Sequence, residues 1–185
     1  MKHTLPTSVS LLGLGLLAIG LLAPPAHAQS KDDQIKSALS AAPEAVAMNA
    51  TVVDGAGNVL RKGSNGYTCM PDDPEAPGIS AMCLDAGWLV WADAWMNKKP
   101  AAMPDRISFG YMLAGGQPGS NTDPYATEAT ADNEWIESGG PHVMILVPDV
   151  KMLEGISSDP STGAPFVMWR GTDLAHMMVP VAKRK

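Results

Sequence analysis

The spacing of apolar residues predicts a first helix shortly after residue 30. Four apolar side chains fall at i, i+3, i+4 and i+7, the pattern of one helical face: Ile35, Ala38, Leu39 and Ala42. Ser30 can cap this helix, with Asp33 three residues further on as in a capping box, and Pro43 ends it. The pattern therefore predicts an amphipathic helix with one buried stripe.

Alternating apolar residues predict strands in two further places. Residues 46–52 alternate as a half-buried strand does, and residues 54–58 are turn formers after which residues 59–62 can return as a second arm. Residues 107–113 alternate in the same way. We therefore expect a hairpin beginning near residue 46 and a separate strand near residue 110.

The clearest predicted helix spans residues 84–97 and is rich in tryptophan. Its apolar positions share a single face: Leu84, Trp88, Trp91, Ala92 and Trp95. We expect the three indoles on this face to be core residues packed against a sheet, since large aromatic side chains are favourable to bury. The alternative is a stacking platform for a sugar, a peptidoglycan fragment or an aromatic ligand, with at least two of the indoles exposed in a groove.

The last third of the chain predicts three strands. Residues 142–147 are apolar on both faces, as in a central strand, and Asp149 can cap a short helical turn. Residues 166–170 and 174–179 flank turn formers and predict a hairpin, and Pro180 ends the last strand or places it at an edge. The whole pattern favours an α+β fold, with a mostly antiparallel sheet of about five or six strands and two main helices packed on one of its faces.

Residues 115–141 form a long segment with no apolar periodicity, composed mostly of Gly, Ser, Asn, Asp, Thr and Pro. Loops of this length are uncommon and are usually functional or mobile. We expect a solvated acidic loop that is more mobile and more protease-sensitive than the strands beside it; the alternative is a lid or a weak calcium site. If this segment binds a ligand, the candidate residues are Asp123, Tyr125 and Trp135.

The first 28 residues have the three parts of a secretory signal peptide. Lys2 gives a positive start, an apolar run follows, and Ala26-His27-Ala28 provides the small-x-small pattern of a cleavage site. The apolar run is about 15 residues, shorter than the about 20 that span a bilayer. We therefore predict a signal peptide at residues 1–28, a single domain at residues 29–185, a periplasmic or secreted location, and no membrane insertion after cleavage.

The composition is that of a folded domain and argues against a nucleic-acid partner. Hydrophobic residues make up 45% of the chain and charged residues 17%, which excludes a disordered chain, a collagen or a coiled coil as a description of the whole. The 13 Lys and Arg residues oppose 19 Asp and Glu residues, so the formal net charge is −6. An acidic chain without a basic stripe is a poor nucleic-acid binder.

The two cysteines, Cys69 and Cys83, are expected to form a disulfide, because an oxidising compartment favours their pairing. The segment between them is rich in Pro and acidic residues and cannot pack by itself, so a cross-link there has a structural use. The alternative is a redox-active or nucleophilic thiol. A redox pair usually has C-x-x-C spacing, which these cysteines lack.

Four segments together are similar to a group of exported bacterial proteins: NGYTCMPDDP at residues 65–74, WADAWMN at 91–97, SNTDPYATE at 120–128 and PHVM at 141–144. The resemblance covers most of the chain after the leader. It implies an exported protein with a shared fold. It carries no catalytic signature and no assigned activity, so it transfers no functional residue.

The common catalytic templates are not met. The chain has no G-x-S-x-G elbow, no H-E-x-x-H helix, no Walker A loop and no EF-hand ladder. Beyond the leader only His142 and His176 are present, so a three-His zinc site within one chain is excluded. A site with both histidines and Asp123 or Asp173 remains open, and so does a hydrolase that uses the histidines.

The two histidines occur in matching His-x-Met pairs on predicted strands. Residues two apart on a strand share a face, so His142 with Met144, and His176 with Met178, each offer an imidazole and a thioether on one side. If the strands are neighbours in register, four soft or borderline donors could converge, a set suited to copper(I). We expect instead that Met fills irregular core space and that each His is hydrogen-bonded at its edge, so that copper does not bind tightly.

These observations leave two classes of function. We expect an exported soluble or envelope-associated binding module, rather than an enzyme, whose partner is a small molecule, a glycan or an envelope protein and which needs no cofactor. The alternative is a small periplasmic copper binder or hydrolase that uses His142 and His176. The position of these two residues relative to a cleft distinguishes the classes.

Overall fold

The computed structural model describes residue 1, residues 29–137 and residues 139–182. Residues 2–28, nearly all of the predicted signal peptide, lie outside the described residues. Among the described residues, no helix is long and apolar enough to cross a membrane.

Three α-helices and ten strands are present in the described part of the chain. The helices are α1 (Lys31–Leu39), α2 (Glu44–Ala47) and α3 (Ala86–Met96). The strands are β1 (Thr51–Val53), β2 (Val59–Arg61), β3 (Thr68–Met70), β4 (Met82–Leu84), β5 (Ser108–Met112), β6 (Gly119–Ser120), β7 (Trp135–Ile136), β8 (His142–Leu146), β9 (Phe166–Met168) and β10 (His176–Pro180). Short 3-10 helices lie at Val150–Leu153 and Pro160–Thr162.

Eight of the strands form one sheet in the order β2-β1-β3-β4-β5-β8-β10-β9, and β6 pairs with β7 in a separate small sheet. The α+β class is confirmed, but the sheet is larger than the predicted five or six strands. It is also mixed, because β1 and β3 run parallel while the other neighbours are antiparallel. The extra strands are short, three residues in β3 and β4, so apolar alternation could not reveal them.

Helix α1 forms as the sequence predicts. The Ser30 side chain accepts a hydrogen bond from the Asp33 backbone N–H, which satisfies one of the unpaired donors of the first turn. The Ser30 hydroxyl in turn donates to the Asp33 carboxylate at 2.7 Å. After α1, however, the prediction of a strand over residues 46–52 is wrong.

Helix α2 ends at Ala47 within that segment, a turn follows, and the strand is confined to Thr51–Val53. The reason lies in the local sequence. Pro43 fixes φ at a value compatible with a helix start, and Ala, the strongest helix former, stands at positions 45, 47 and 50. The hairpin that follows is confirmed, with β1 and β2 antiparallel across the turn at residues 54–58.

Helix α3 begins two residues later than the sequence predicts. Asp85 caps it by accepting a hydrogen bond from the Trp88 backbone N–H, and the second Asp85 oxygen accepts one from Phe109 N–H of β5. Leu84 belongs to β4 instead. The cap therefore joins the start of the tryptophan helix to the edge of the strand on which the helix packs.

The two long helices pack on opposite faces of the sheet, so the prediction that they share one face is wrong. Alternate side chains of a strand point to opposite faces. Val52, Cys69 and Cys83 cluster beneath α1, whereas Leu84 and Met144 cluster beneath α3. The alternating apolar residues at 107–113 lie on the face of the sheet that carries α1. The β5 residues on the other face, which carries α3, are Ser108, Gly110 and Met112.

The predicted disulfide is confirmed. Cys69 of β3 and Cys83 of β4 face each other directly in the antiparallel register and are bonded through their sulfurs. Both residues are fully buried beneath α1. The cross-link thus joins the two central strands that flank the Pro-rich segment.

Residues 115–141 contain more structure than the sequence suggests. Strands β6 and β7 pair within this segment, and Asn121 beside β6 is buried. The Asn121 amide donates to the Glu134 carboxylate at 2.7 Å and to the Ser158 carbonyl oxygen at 2.8 Å. The segment is therefore fastened to its own second half and to the turn before β9.

Candidate functional site

A cavity of about 320 Å³ lies between helix α3, the α3 side of the sheet and the segment of residues 117–141. This volume falls within the range of small-molecule sites in proteins, which are roughly 300–1,000 Å³. Four of the five tryptophans and both described histidines line it. We refer to it below as the Trp–Met cavity.

The floor of the Trp–Met cavity is a row of thioethers. One methionine comes from each of five adjacent strands, β4, β5, β8, β10 and β9, in the order Met82, Met112, Met144, Met178 and Met168. Met side chains are unbranched and polarisable, so they adapt to an irregular neighbour. The floor can therefore follow the shape of what lies on it.

Glycine at position 110 makes room in this floor. A Cβ at this position would lie 2.9 Å from the terminal methyl of Met144 and 2.9 Å from a methyl of Leu84. The Trp88 ring would be 3.5 Å away. Any side chain at position 110 would therefore displace Met144 or Leu84, both of which line the cavity.

The opposite wall is built from four indole rings, Trp88, Trp91, Trp95 and Trp169. Trp88 and Trp91 of α3 are 2% and 3% exposed, and their rings meet edge to face at 4.8 Å. Trp95 is half-buried on the next turn and lies 6.2 Å from Trp91. The α3 tryptophans are thus both core residues and cavity walls.

Three of the four indole N–H groups hold the walls together. The Trp88 nitrogen donates to the Ser108 carbonyl oxygen at 3.2 Å, the Trp95 nitrogen to that of Pro124 at 2.9 Å, and the Trp169 nitrogen to that of Ser120 at 2.8 Å. These bonds fasten α3 to β5 and fasten the 117–141 segment to α3 and to the end of β9. The cavity shape is therefore set by hydrogen bonds as well as by packing.

The fourth indole differs. The Trp91 Nε1 is buried and has no hydrogen-bond partner among the described residues. A buried polar group without a partner costs about 1–3 kcal/mol, so buried donors are normally paired. Trp91 lines the cavity with its ring, and an acceptor on a bound molecule would remove this cost once the indole turns its enclosed nitrogen toward the cavity.

Trp169 reaches the cavity through an unusual backbone conformation. Its φ is +56°, in the left-handed region that bulky residues rarely adopt. Two bonds hold it there, since its backbone N–H donates to the Asn121 carbonyl oxygen at 2.8 Å and its indole N–H donates to Ser120. The conformation turns the indole onto the cavity, parallel to Trp91.

His176 is enclosed by three of these tryptophans. Its ring lies 5.4 Å from Trp88, 5.2 Å from Trp91 and 5.0 Å from Trp169, each nearly perpendicular to it. The pKa of His176 is lowered to about 4, chiefly by burial; the hydrogen bond to Leu174 raises the pKa, and the charge of His142 lowers it. The ring is therefore neutral at pH 7.

The tautomer of His176 follows from its partner. Nδ1 lies 3.0 Å from the Leu174 carbonyl oxygen, which can only accept, so Nδ1 carries the proton and Nε2 carries the lone pair. His142 is arranged in the same way, with Nδ1 2.6 Å from the Gly140 carbonyl oxygen. Metal-binding histidines are commonly held through a second-shell bond of this kind.

The two His-x-Met pairs lie on neighbouring strands and line the same cavity, as the copper hypothesis requires. Met144 of β8 faces Met178 of β10 directly, but His142 faces Pro180, four residues along β10 from His176. At about 3.3 Å per residue the two histidine backbones are about 13 Å apart along the strands. The Met pair lies between them, so this register does not gather all four donors at one point.

The other sequence candidates are separated. Asp123 lines the cavity at the exposed rim, where its carboxylate accepts the Tyr125 backbone N–H at 2.8 Å. The Tyr125 ring lies beneath the Lys98 ammonium at 5.1 Å, and Trp135 is half-buried on β7; neither lines the cavity. Asp173 lies in the β9–β10 turn, away from the cavity, with the Ala101 backbone N–H 3.4 Å from its carboxylate.

Within the described part of the chain, no group of three or more His, Cys, Asp or Glu side chains is arranged to hold a metal ion. Such a group is what zinc or calcium would need. Methionine sulfur is not one of these four types of donor. Apart from the Asp123 carboxylate at the rim, the metal donors that the cavity offers are therefore imidazole nitrogen and methionine sulfur.

Comparisons with protein-family models, with curated proteins and with solved structures found no match to this chain. What the site can do is therefore argued from its geometry. Four of its members, Met82, Met112, Met168 and Trp169, are not singled out by the sequence analysis. For Met168 a signal exists, because Met144, Met168 and Met178 are each the third residue of a C-terminal strand.

Proposed function

We propose that this protein is an exported binding module that holds a small, uncharged, mainly aromatic molecule in the Trp–Met cavity. The observation that carries the proposal is the cavity of about 320 Å³ walled by four indole rings. The leader-like residues 1–28 and the disulfide support the exported location.

The lining determines the class of ligand. Among the described residues that line the cavity, Asp123 at the rim is the one carboxylate, and no Lys or Arg is present. A charged ligand would lose its hydration without gaining a partner of opposite charge, which is strongly unfavourable. An uncharged aromatic ring gains by packing edge to face or offset against the indoles, at about 0.5–1.5 kcal/mol per aromatic pair.

The Trp91 N–H adds one polar requirement. A ligand with a carbonyl or ether oxygen can accept from this donor, whereas a hydrocarbon of the same shape leaves it unpaired. The net value of such a bond is about 0.5–1.5 kcal/mol. The preferred ligand therefore has an aromatic ring and one uncharged acceptor.

Three probes of nearly equal size test this class: acetophenone, ethylbenzene and benzoate. Binding is measured by tryptophan fluorescence and by calorimetry on the protein from residue 29. We expect acetophenone to bind about 3–10 times more tightly than ethylbenzene, as the value of one hydrogen bond implies, and benzoate to bind weakest. Benzoate binding as tight as acetophenone binding would refute an uncharged site.

Two variants of α3, Ala92→Phe and Val90→Phe, locate the binding site, and a third, Trp91→Phe, tests the hydrogen bond. Ala92 lines the cavity, so Ala92→Phe fills part of it and is expected to weaken acetophenone binding at least tenfold. Val90 is on the same helix and 56% exposed, so Val90→Phe is the matched control and leaves binding unchanged. Trp91→Phe keeps an aromatic ring and removes the N–H, and it should abolish the preference for acetophenone over ethylbenzene. Equal effects of Ala92→Phe and Val90→Phe would place binding elsewhere.

A further inference from the structure

We propose that His176, Met178 and Met168 form a copper(I) site on the floor of the Trp–Met cavity. This donor set differs from the four residues paired in the sequence, because it replaces His142 and Met144 by Met168. It does not depend on the aromatic ligand of the proposed function.

The strand register brings these three residues together. Met168 of β9 faces His176 of β10 directly, which places their Cβ atoms roughly 4.5–5.5 Å apart. Met178 is two residues along β10 and therefore on the same face, about 6.6 Å further along. All three line the cavity, and both methionines are only half-buried, so their thioethers are able to move toward an ion.

The imidazole is already prepared for an ion. The Nδ1 proton of His176 is held by the Leu174 carbonyl oxygen at 3.0 Å, so the ring is oriented and Nε2 carries the lone pair.

The donor chemistry selects the ion. Thioether sulfur is a soft ligand that suits copper(I), whereas magnesium and calcium need oxygen donors. A monovalent ion also costs less to bury than a divalent one in a cavity whose single carboxylate is at the rim. The indole faces of Trp88, Trp91 and Trp169, all within 5.4 Å of the imidazole ring, attract a cation and exclude water.

Competition with the chelator bicinchoninate tests the proposal. The purified protein from residue 29 is titrated anaerobically with copper(I) in the presence of the chelator, and silver(I) serves as a redox-inert second probe followed by tryptophan fluorescence. We expect one ion per chain and withdrawal of copper(I) from the chelator. We expect Met168→Leu and Met178→Leu each to weaken binding at least tenfold and the double variant to lose it.

The variants are chosen to keep the fold. Met→Leu nearly conserves volume and typically costs less than about 1.5 kcal/mol, so loss of copper in a folded variant reports loss of sulfur. Met152→Leu is the matched control, since Met152 is 58% exposed and outside the cavity, and it should bind like wild type. His142→Ala should bind copper within about threefold of wild type, because His142 is at the other end of the floor.

The proposal is overturned if the chelator retains all the copper(I) against wild type, or if the double Met→Leu variant binds copper(I) as tightly as wild type. A tenfold loss in His142→Ala would assign the ion to the other end of the floor and would also overturn it. Acetophenone binding is measured on the same samples. Failure of copper alone refutes the metal site, whereas failure of acetophenone alone refutes the proposed function.

Discussion

Trp91 and Trp169 stack with their ring planes 8° apart and their centroids 5.7 Å apart. Trp91 belongs to α3, whereas Trp169 follows β9, so the stacked pair joins the helix to the far edge of the sheet within one wall of the cavity. Trp169 makes this contact from a left-handed backbone conformation that costs of order 1–3 kcal/mol. Such strain persists where the surrounding structure holds the residue in place. Here the strained conformation places the Trp169 indole in the cavity wall.

Replacement of Trp91 by alanine is expected to destabilise the protein by roughly 3–5 kcal/mol, because it removes a buried indole that contacts three other tryptophans. Urea unfolding of Trp91→Ala against wild type measures the effect. Val90→Ala, at an exposed neighbouring position, should change stability by less than about 0.5 kcal/mol. A loss below about 1 kcal/mol for Trp91→Ala would show that the indole is not a core residue.

Stability is expected to decrease as the pH falls from about 6.5 to about 4, because of His176. Its pKa is about 4 in the folded protein, mainly because the ring is buried, whereas an unburied histidine has a pKa of 6.5. Between these values the unfolded chain binds a proton that the folded protein does not, so the free energy of unfolding rises with pH. The full shift corresponds to about 3 kcal/mol, present above pH 6.5 and lost as the pH approaches 4.

The comparison of wild type with His176→Gln isolates this contribution from that of the carboxylates. Urea unfolding at pH 7, 6 and 5 should show a steeper decrease in wild type than in the variant. Direct titration of the His176 ring protons by NMR gives a second measurement that does not need the variant to fold. A ring pKa of 6 or above in the folded protein would contradict the prediction.

The sequence predicted those parts of the fold that depend on local patterns. The cap and apolar stripe of α1, the tryptophan face of α3, and the hairpin of β9 and β10 follow from spacing within about fifteen residues. The disulfide follows from the predicted oxidising compartment and the presence of two cysteines. Strands β3 and β4 were missed because each is three residues long and is held by its neighbours and by the Cys69–Cys83 bond. Tertiary pairing, not local preference, makes them strands.

The site itself was only partly predictable. The His-x-Met pairs were visible, but whether their donors converge depends on register, and the register sets His142 against Pro180 and His176 against Met168. No local pattern fixes that offset. The role of Trp169 depends on a left-handed φ at a non-glycine residue, which spacing does not encode. The sequence left open whether the three tryptophans of α3 are core residues or a platform; in the structure Trp88 and Trp91 are buried, and all three line the cavity.

Removal of the disulfide is expected to cost about 3 kcal/mol, the chain-entropy value for a loop of about 15 residues. Cys69 and Cys83 are separated by 14 residues, and both are fully buried beneath α1. The Cys69→Ala, Cys83→Ala double variant keeps small apolar side chains there, and its urea unfolding is compared with that of wild type. Thiol titration of the unreduced, denatured wild type should give no free thiol, and two titratable thiols would contradict the cross-link.

Limited proteolysis is expected to cut the 115–141 segment at its exposed tip, residues 127–132, before the strands beside it. The tip side chains are exposed, whereas Asn121 and Ser120 at the base are buried. The Asn121 amide bonds to Glu134 and Ser158 and thereby holds the base of the segment to the turn before β9. Buried, hydrogen-bonded backbone resists cleavage, so the first cut should leave the base intact.

Asn121→Ala removes both amide bonds and leaves the Glu134 carboxylate without this donor. We therefore expect cleavage to spread to residues 117–123. Acetophenone binding should weaken in the same variant. Asn133→Ala is the matched control, because the Asn133 amide bonds within the exposed tip, to the Glu128 carbonyl oxygen at 2.9 Å. Mass spectrometry of the first fragments locates the cuts. Cleavage that begins outside this segment in wild type, with residues 127–132 intact, would show that the tip is packed as firmly as the sheet.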